Sequence, residues 1–144
     1  MPDAAQLAPA PHRAVPANLQ TFLALDFGTL RTGVAFGNRL LRSAQPLATI
    51  KAQGNARMAL VRARVQEWQP DALVVGIPFH PDGAAHENTL RASRFARQLR
   101  AQCKLRVFEV DERYSTTDAL SSGARDADAG AACVILEQFL RNLA

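Results

Sequence analysis

The chain has 144 residues, 48% of them hydrophobic and 21% charged, which allows one domain with a real core and an ordinary globular composition. No apolar run approaches the ~20 residues of a membrane span. Cys103 and Cys133 lie far apart at no metal-ligand spacing, which excludes a zinc module and reads as two free thiols in a reducing cytoplasm. The formal charge is +4, and lysine occurs only at Lys51 and Lys104, so the basic residues are mostly arginine, whose planar fork suits phosphate recognition.

Residues 1–20 hold four of the eight prolines and no apolar h-region, so they read as a disordered N-terminal tail, neither a signal peptide nor part of the fold. The domain is expected over 21–144. It opens with the stretch Thr21–Gly33. Phe22-Leu-Ala-Leu25 is a buried-strand run that ends on a carboxylate, Asp26, followed by Gly28-Thr29 and then Arg31 and Gly33. An acid at the exit of a central strand is costly without a partner. A metal ion or a bound phosphate would supply one, and Gly28 would let the backbone approach it closely. The alternative is a tight hairpin with Asp26 as turn former.

Thr32–Gly37 reads as a second strand, Asn38-Arg39 as a tight turn, and Leu40–Ala44 as a third strand running on past Pro46 toward Ile50. Together these make a meander whose proline places the last strand at an edge. From about Asn55 the period changes. Met58, Val61, Val65 and Trp68 share one helical face, Arg57, Arg62 and Arg64 take the others, and Gln69-Pro70 stops the helix. Ala72–Ile77 is a fully apolar fourth strand, followed by a polar loop through His80 and Gly83. A second helix spans about Glu87 to Gln102, with Leu90, Phe95 and Leu99 expected in the core. Arg91, Arg94, Arg97 and Arg100 recur every three residues, so each is rotated ~60° from the last, and they read as a solvated face.

Arg106–Val110 is the fifth strand, followed by Asp111-Glu112-Arg113. Ser115-Thr-Thr-Asp118 has the spacing of a capping box for a short helix ended by Gly123. In the last helix, roughly Ala127–Asn142, Ala132, Ile135, Leu136, Phe139, Leu140 and Leu143 form the strongest helical stripe of the chain. Helices that follow strands argue for parallel pairing in the later part of an α/β sheet.

Three acids fall where such a sheet gathers its sites. Asp26 exits the first strand, Glu112 exits the fifth, and Asp128 sits one turn before Ala132 on the apolar stripe, aimed at the strand ends. Asp126 lies off that stripe and reads as a cap or a surface acid. Converging carboxylates raise each other's pKa. A hard divalent cation, Mg2+ or Mn2+, relieves the repulsion, and two such ions ~3.5–4 Å apart would bracket an in-line attack on a phosphodiester. Thr29, Arg31 and Arg113 flank this arrangement as phosphate contacts, with local ion pairing as the alternative for Arg31.

Leu-Asp-Phe-Gly-Thr-Leu-Arg-Thr-Gly-Val-Ala (25–35), Val-Val-Gly-Ile-Pro (74–78) with Asp82-Gly83, Val-Asp-Glu-Arg-Tyr-Ser-Thr-Thr (110–117) and Asp-Ala-Gly-Ala-Ala (128–132) together resemble the YqgF/RuvX family. These are Holliday-junction-resolvase-like proteins of the ribonuclease H-like superfamily. The resemblance runs from about Thr21 to the C-terminus. It implies a five-stranded mixed sheet of order 3-2-1-4-5 flanked by helices, with Asp26, Glu112 and Asp128 as catalytic acids. It further implies processing of the 5′ end of precursor 16S ribosomal RNA as part of ribosome biogenesis. Leu30 stands where the family usually has a basic residue, and Tyr114 where leucine is common, offering a stacking face.

The leading expectation is therefore a cytoplasmic, metal-dependent nuclease, a monomer or weak dimer, acting on structured RNA. The alternatives are a Holliday junction resolvase on DNA and a nucleic-acid-binding regulator without cleavage. An actin-like ATPase reading of Asp26-Phe-Gly-Thr29 needs a second lobe that 144 residues do not supply.

Overall fold

A computed structural model describes residues 15–112 and 126–143. The elements are β1 (Thr21–Phe27), β2 (Thr32–Asn38), β3 (Ser43–Ile50), α1 (Gly54–Trp68), β4 (Ala72–Ile77), α2 (Glu87–Cys103), β5 (Arg106–Asp111) and α3 (Ala127–Arg141). The five strands form one sheet in the order β3-β2-β1-β4-β5. β1 pairs antiparallel with β2 and parallel with β4, β2 pairs antiparallel with β3, and β4 pairs parallel with β5. This is the expected mixed sheet, and Pro46 lies on the edge strand β3, where a missing N–H does least harm.

Period-two alternation along β1 divides the core into two layers. Phe22 and Ala24 face one side, with Ala132, Ile135, Leu136, Phe139 and Leu140 of α3. Leu23 and Leu25 face the other, with Met58 and Val61 of α1 and Ala92, Phe95, Ala96 and Leu99 of α2. The stripe read on the last helix is the face that packs on the sheet.

Several expectations are corrected. The third strand does not begin at Leu40. The Asn38 side chain accepts a hydrogen bond from Leu41 N at 2.7 Å, and Arg42 has φ 55, so the chain turns until Ser43 and leaves Leu40 and Leu41 exposed. Leu90 is 63% exposed. The capping box of α2, formed by His86 and Thr89, turns Thr89 inward, and its hydroxyl donates to the Pro78 carbonyl. Leu90, ~100° further round, must then face water. Arg57 is buried among apolar side chains and does not lie on a solvent face. Residues 15–20, expected in the tail, pack on the domain. Val15 joins the α3-side core, and Arg39 Nη1 donates to the carbonyls of Pro16 and Leu19 at 2.8 and 3.0 Å. The short helix expected at 115–123 lies outside the described residues.

Candidate active site

Asp26 stands at the carboxyl end of the central strand. Its register partners are Gly33 on β2 and Gly76 on β4. Both glycines leave space that another element fills. A Cβ on Gly33 would lie 1.9 Å from the Asp128 carbonyl oxygen, so the first turn of α3 seats directly on β2 beside Asp26. A Cβ on Gly76 would lie 2.5 Å from Ile135 Cδ1 and 3.3 Å from Glu112 Oε2. Val110 is the register partner of Gly76, and Glu112 follows it two residues on, just past the end of β5. Asp26 is thus flanked by the helix turn carrying Asp128 and by the Glu112 carboxylate.

The electrostatics follow from this crowding. The Asp26 carboxyl is held well above the usual carboxylate range, first by burial, then by the Glu112 charge and the hydrogen bond between the two groups, and last by the Asp128 charge. Glu112 is also raised, chiefly by burial; its hydrogen bond with Asp26 pulls the other way, and the Asp111 charge pushes up again. The hydrogen bond between the two acids favours a proton on Asp26 over one on Glu112. Asp128 resolves its own repulsion differently, with Oδ2 3.6 Å from Arg31 Nε in a pair open to solvent on both sides. Among the described residues no three His, Cys, Asp or Glu side chains are gathered tightly enough to hold a metal ion as they stand. The donor set still suits a hard cation, since all three groups offer oxygen. A cation there would relieve the crowding of Asp26 and Glu112 and take the place of the exposed arginine beside Asp128.

Asp126 is the N-cap of α3, accepting from Asp128 N at 3.0 Å and from the Thr49 hydroxyl, which lowers its pKa. The cap reading of this acid is the structural one, and the helix starts where the sequence places it.

The loop 28–31 joins β1 to β2. Gly28 is required because a Cβ there would lie 2.4 Å from the Arg31 carbonyl oxygen. The close approach is by the loop's own backbone. Thr29 is exposed, and its carbonyl accepts from Arg57 Nη2. Arg57 Nε also donates to the Ala52 carbonyl at 3.0 Å, and its guanidinium lies 4.4 Å from the Phe27 ring centroid. Sequence reasoning missed this brace, and it missed Gly33 and Gly76. The available signal was a glycine inside each strand next to the one that ends on Asp26. Arg113 lies outside the described residues.

Residues 20–142 match the family described as RuvX: Holliday junction resolvase. A protein of Albidiferax ferrireducens is 73% identical over 129 residues, covering 90% of this chain and 83% of its own length. A protein of Polaromonas sp. is 68% identical over 137 residues, covering 95% and 98%. Both carry the name "Putative pre-16S rRNA nuclease". Among solved structures, T. thermophilus RuvC in complex with a Holliday junction substrate aligns with a TM-score of 0.52 at 16% identity, over 84% of this chain and 93% of that one. That likeness identifies the fold as ribonuclease H-like. By the family match and by the identity to these relatives, the chain belongs to the RuvX family.

Proposed function

We propose that this chain is a metal-dependent endonuclease that hydrolyses phosphodiester bonds in structured RNA, processing the 5′ end of precursor 16S rRNA in the cytoplasm. The observation that carries the reading is the meeting of Asp26 and Glu112 at the carboxyl ends of β1 and β5, with Asp128 adjacent. Such a repulsive set opposes stability, and perturbed acids of this kind gather at functional sites. The relatives' name supports the substrate.

In this reading Asp26, Glu112 and Asp128 hold Mg2+ or Mn2+. The bound metal would supply charge neutralisation at the scissile phosphate and a water of lowered pKa. With its pKa raised, the Asp26 carboxyl must be deprotonated before it serves as a ligand. Asp128 must exchange Arg31 for the site, and Arg31, freed and already exposed, can then donate to a phosphate oxygen. Gly28 and Thr29 present the loop backbone beside that phosphate, and Arg113 follows Glu112 directly in sequence. The chain acts as a monomer or weak dimer.

The test is side-by-side incubation with labelled RNA carrying the precursor 5′ flank, single-stranded RNA and a four-way DNA junction, each with Mg2+, Mn2+ or EDTA. Cleavage of the precursor RNA only with divalent metal is expected. Cleavage of the junction alone would replace the RNA reading with the resolvase reading. Binding without cleavage in any metal would leave a regulator.

A further inference from the structure

On the sheet face opposite α3, a groove of about 400 Å3 runs between the start of α1 and α2, and Thr29 of the β1–β2 loop lies at its rim. Its walls carry three arginines, Arg57, Arg91 and Arg94, with amide side chains such as Gln53 and Gln98, and no carboxylate lines it. Arg57 is 4% exposed and, among the described residues, no acid pairs with it, so its charge is offset only by two carbonyls and the Phe27 ring. Arg94 is exposed and makes no ion pair among the described residues, while Arg91 pairs with Glu87 at 2.6 Å in a solvent-exposed i,i+4 contact worth little. α1 has no side-chain N-cap and no acid in its first turn, so the same mouth also keeps the positive end of that helix uncompensated. The aromatic floor is already occupied. Phe27 and Phe95 lie 5.0 Å apart, and Arg57 covers Phe27. The groove therefore offers charge and amide donors and no free face for base stacking.

We infer that this groove carries the phosphodiester backbone of the nucleic-acid strand on one side of the scissile bond, crossing the Thr29 loop from the Asp26 site and held by Arg91 and Arg94. The inference rests on the nuclease reading for its substrate. Continuity supports the path, since Thr29 is three residues from Asp26 and belongs to both places. Length supports the occupant. Arg91 and Arg94 sit ~4.5 Å apart along the axis and Gln102 closes the groove ~12 Å further on, the scale of a few nucleotides and too long for a single phosphate ion.

The test is the double variant Arg91→Gln/Arg94→Gln, with Arg97→Gln as control, since Arg97 is exposed on α2 and does not line the groove. Binding of fluorescent single-stranded RNA is titrated across salt concentrations in the Asp26→Asn background, and cleavage kinetics are measured with Asp26 intact. Two lost phosphate contacts on a single strand should flatten the log–log salt slope by about 1.4. KM should rise about tenfold with kcat unchanged, and Arg97→Gln should do neither. An unchanged slope in the double variant, beside a wild type that cleaves, overturns the groove and leaves the nuclease reading standing. Equal flattening by Arg97→Gln overturns it as well, because net charge then explains the effect. A wild type that cleaves nothing while the double variant alone loses slope retires the nuclease reading and supports the groove as a nucleic-acid surface. Matching thermal melts of the three proteins confirm that folding is not the variable.

Discussion

Asp26 and Asp71 bracket the same strand pair, one at each end of β1 and β4, and their chemistry is opposite. Asp71 precedes β4 and accepts from Gln20 N at 2.7 Å and Thr21 N at 3.0 Å, which ties the entry of β1 to the entry of β4 and holds its carboxyl below the usual range. Asp26 closes the far end of β1, gains no such backbone donors among the described residues, and meets a second carboxylate. One acid is satisfied by the fold and serves it. The other is opposed by the fold, through burial and a neighbouring carboxylate. Breaking each in turn should separate stability from activity.

The largest effect is expected from Asp26→Asn. Cleavage should fall by orders of magnitude. In EDTA the variant should melt higher than the wild type, because burial and repulsion disfavour the charge it removes. Mg2+ or Mn2+ should raise the melting temperature of the wild type, by binding the folded arrangement, and should not raise that of the variant. A variant that melts markedly lower without metal would make Asp26 a structural turn residue like Asp71.

The next effect separates Asp128 from Asp126. Asp128→Asn should cut the cleavage rate by orders of magnitude with the fold intact, and tenfold higher Mn2+ should restore part of it. Asp126→Asn should keep cleavage and cost about 1 kcal/mol through a weakened cap. Equal losses would mean that the cap and the site are not separable at the start of α3.

The strands, the helices and the α3 stripe were legible because apolar period reports burial directly, whereas the sheet order followed only from the resemblance to the family. The acids were legible by position, as the exits of β1 and β5 and the first turn of the last helix. Three things were not. Arg57 carries a charge, and charge reads as surface; only the three-dimensional coincidence of the Ala52 and Thr29 carbonyls with the Phe27 ring makes it an interior brace. Leu90 follows the apolar period, yet the hydroxyl of Thr89 fixes the phase of α2 from its cap. Leu40 and Leu41 look like a strand, but the Asn38 side chain captures Leu41 N and prolongs the turn. In each case a local polar contact overrides the hydrophobic pattern, and such contacts depend on partners distant in space or on one hydrogen bond.

A smaller effect is expected at the other end of the comparison. Asp71→Ala removes two exposed backbone contacts and should lower stability by about 1 kcal/mol, a few degrees in melting temperature, with kcat unchanged. Acid titration sharpens the contrast. Asp71 and Asp126 have depressed folded-state pKa values, so their stabilisation is present above the unfolded carboxylate pKa and is lost as pH falls through the folded value. Asp26 and Glu112 are raised, so the stability they contribute is full below the unfolded pKa, near 4, and is lost as pH rises through their folded values. The metal-free melting temperature should therefore pass through a weakly acidic maximum, and Asp26→Asn should flatten the limb above it. A wild-type curve that rises steadily to neutral pH in EDTA would contradict the raised pair.

The smallest effect on stability, and the most discriminating for the site, belongs to Arg31. Its only ion pair among the described residues is the solvent-exposed one with Asp128, 3.6 Å long, so Arg31→Ala should cost less than about 0.5 kcal/mol. If the pair is a resting position from which Arg31 moves to a phosphate, the variant should weaken binding of all RNA sequences alike and flatten the log–log salt slope by about 0.7, one phosphate on a single strand. It should also strengthen metal binding slightly at low RNA, because Asp128 no longer has to be released from a cation. Arg31→Lys should recover most of the salt slope, since a phosphate contact needs the charge more than the fork. A melting temperature that drops by several degrees, with the salt slope intact, would instead make Arg31 a structural partner of Asp128, and the β1–β2 loop would then resemble the Asp71 end of the sheet in serving the fold alone.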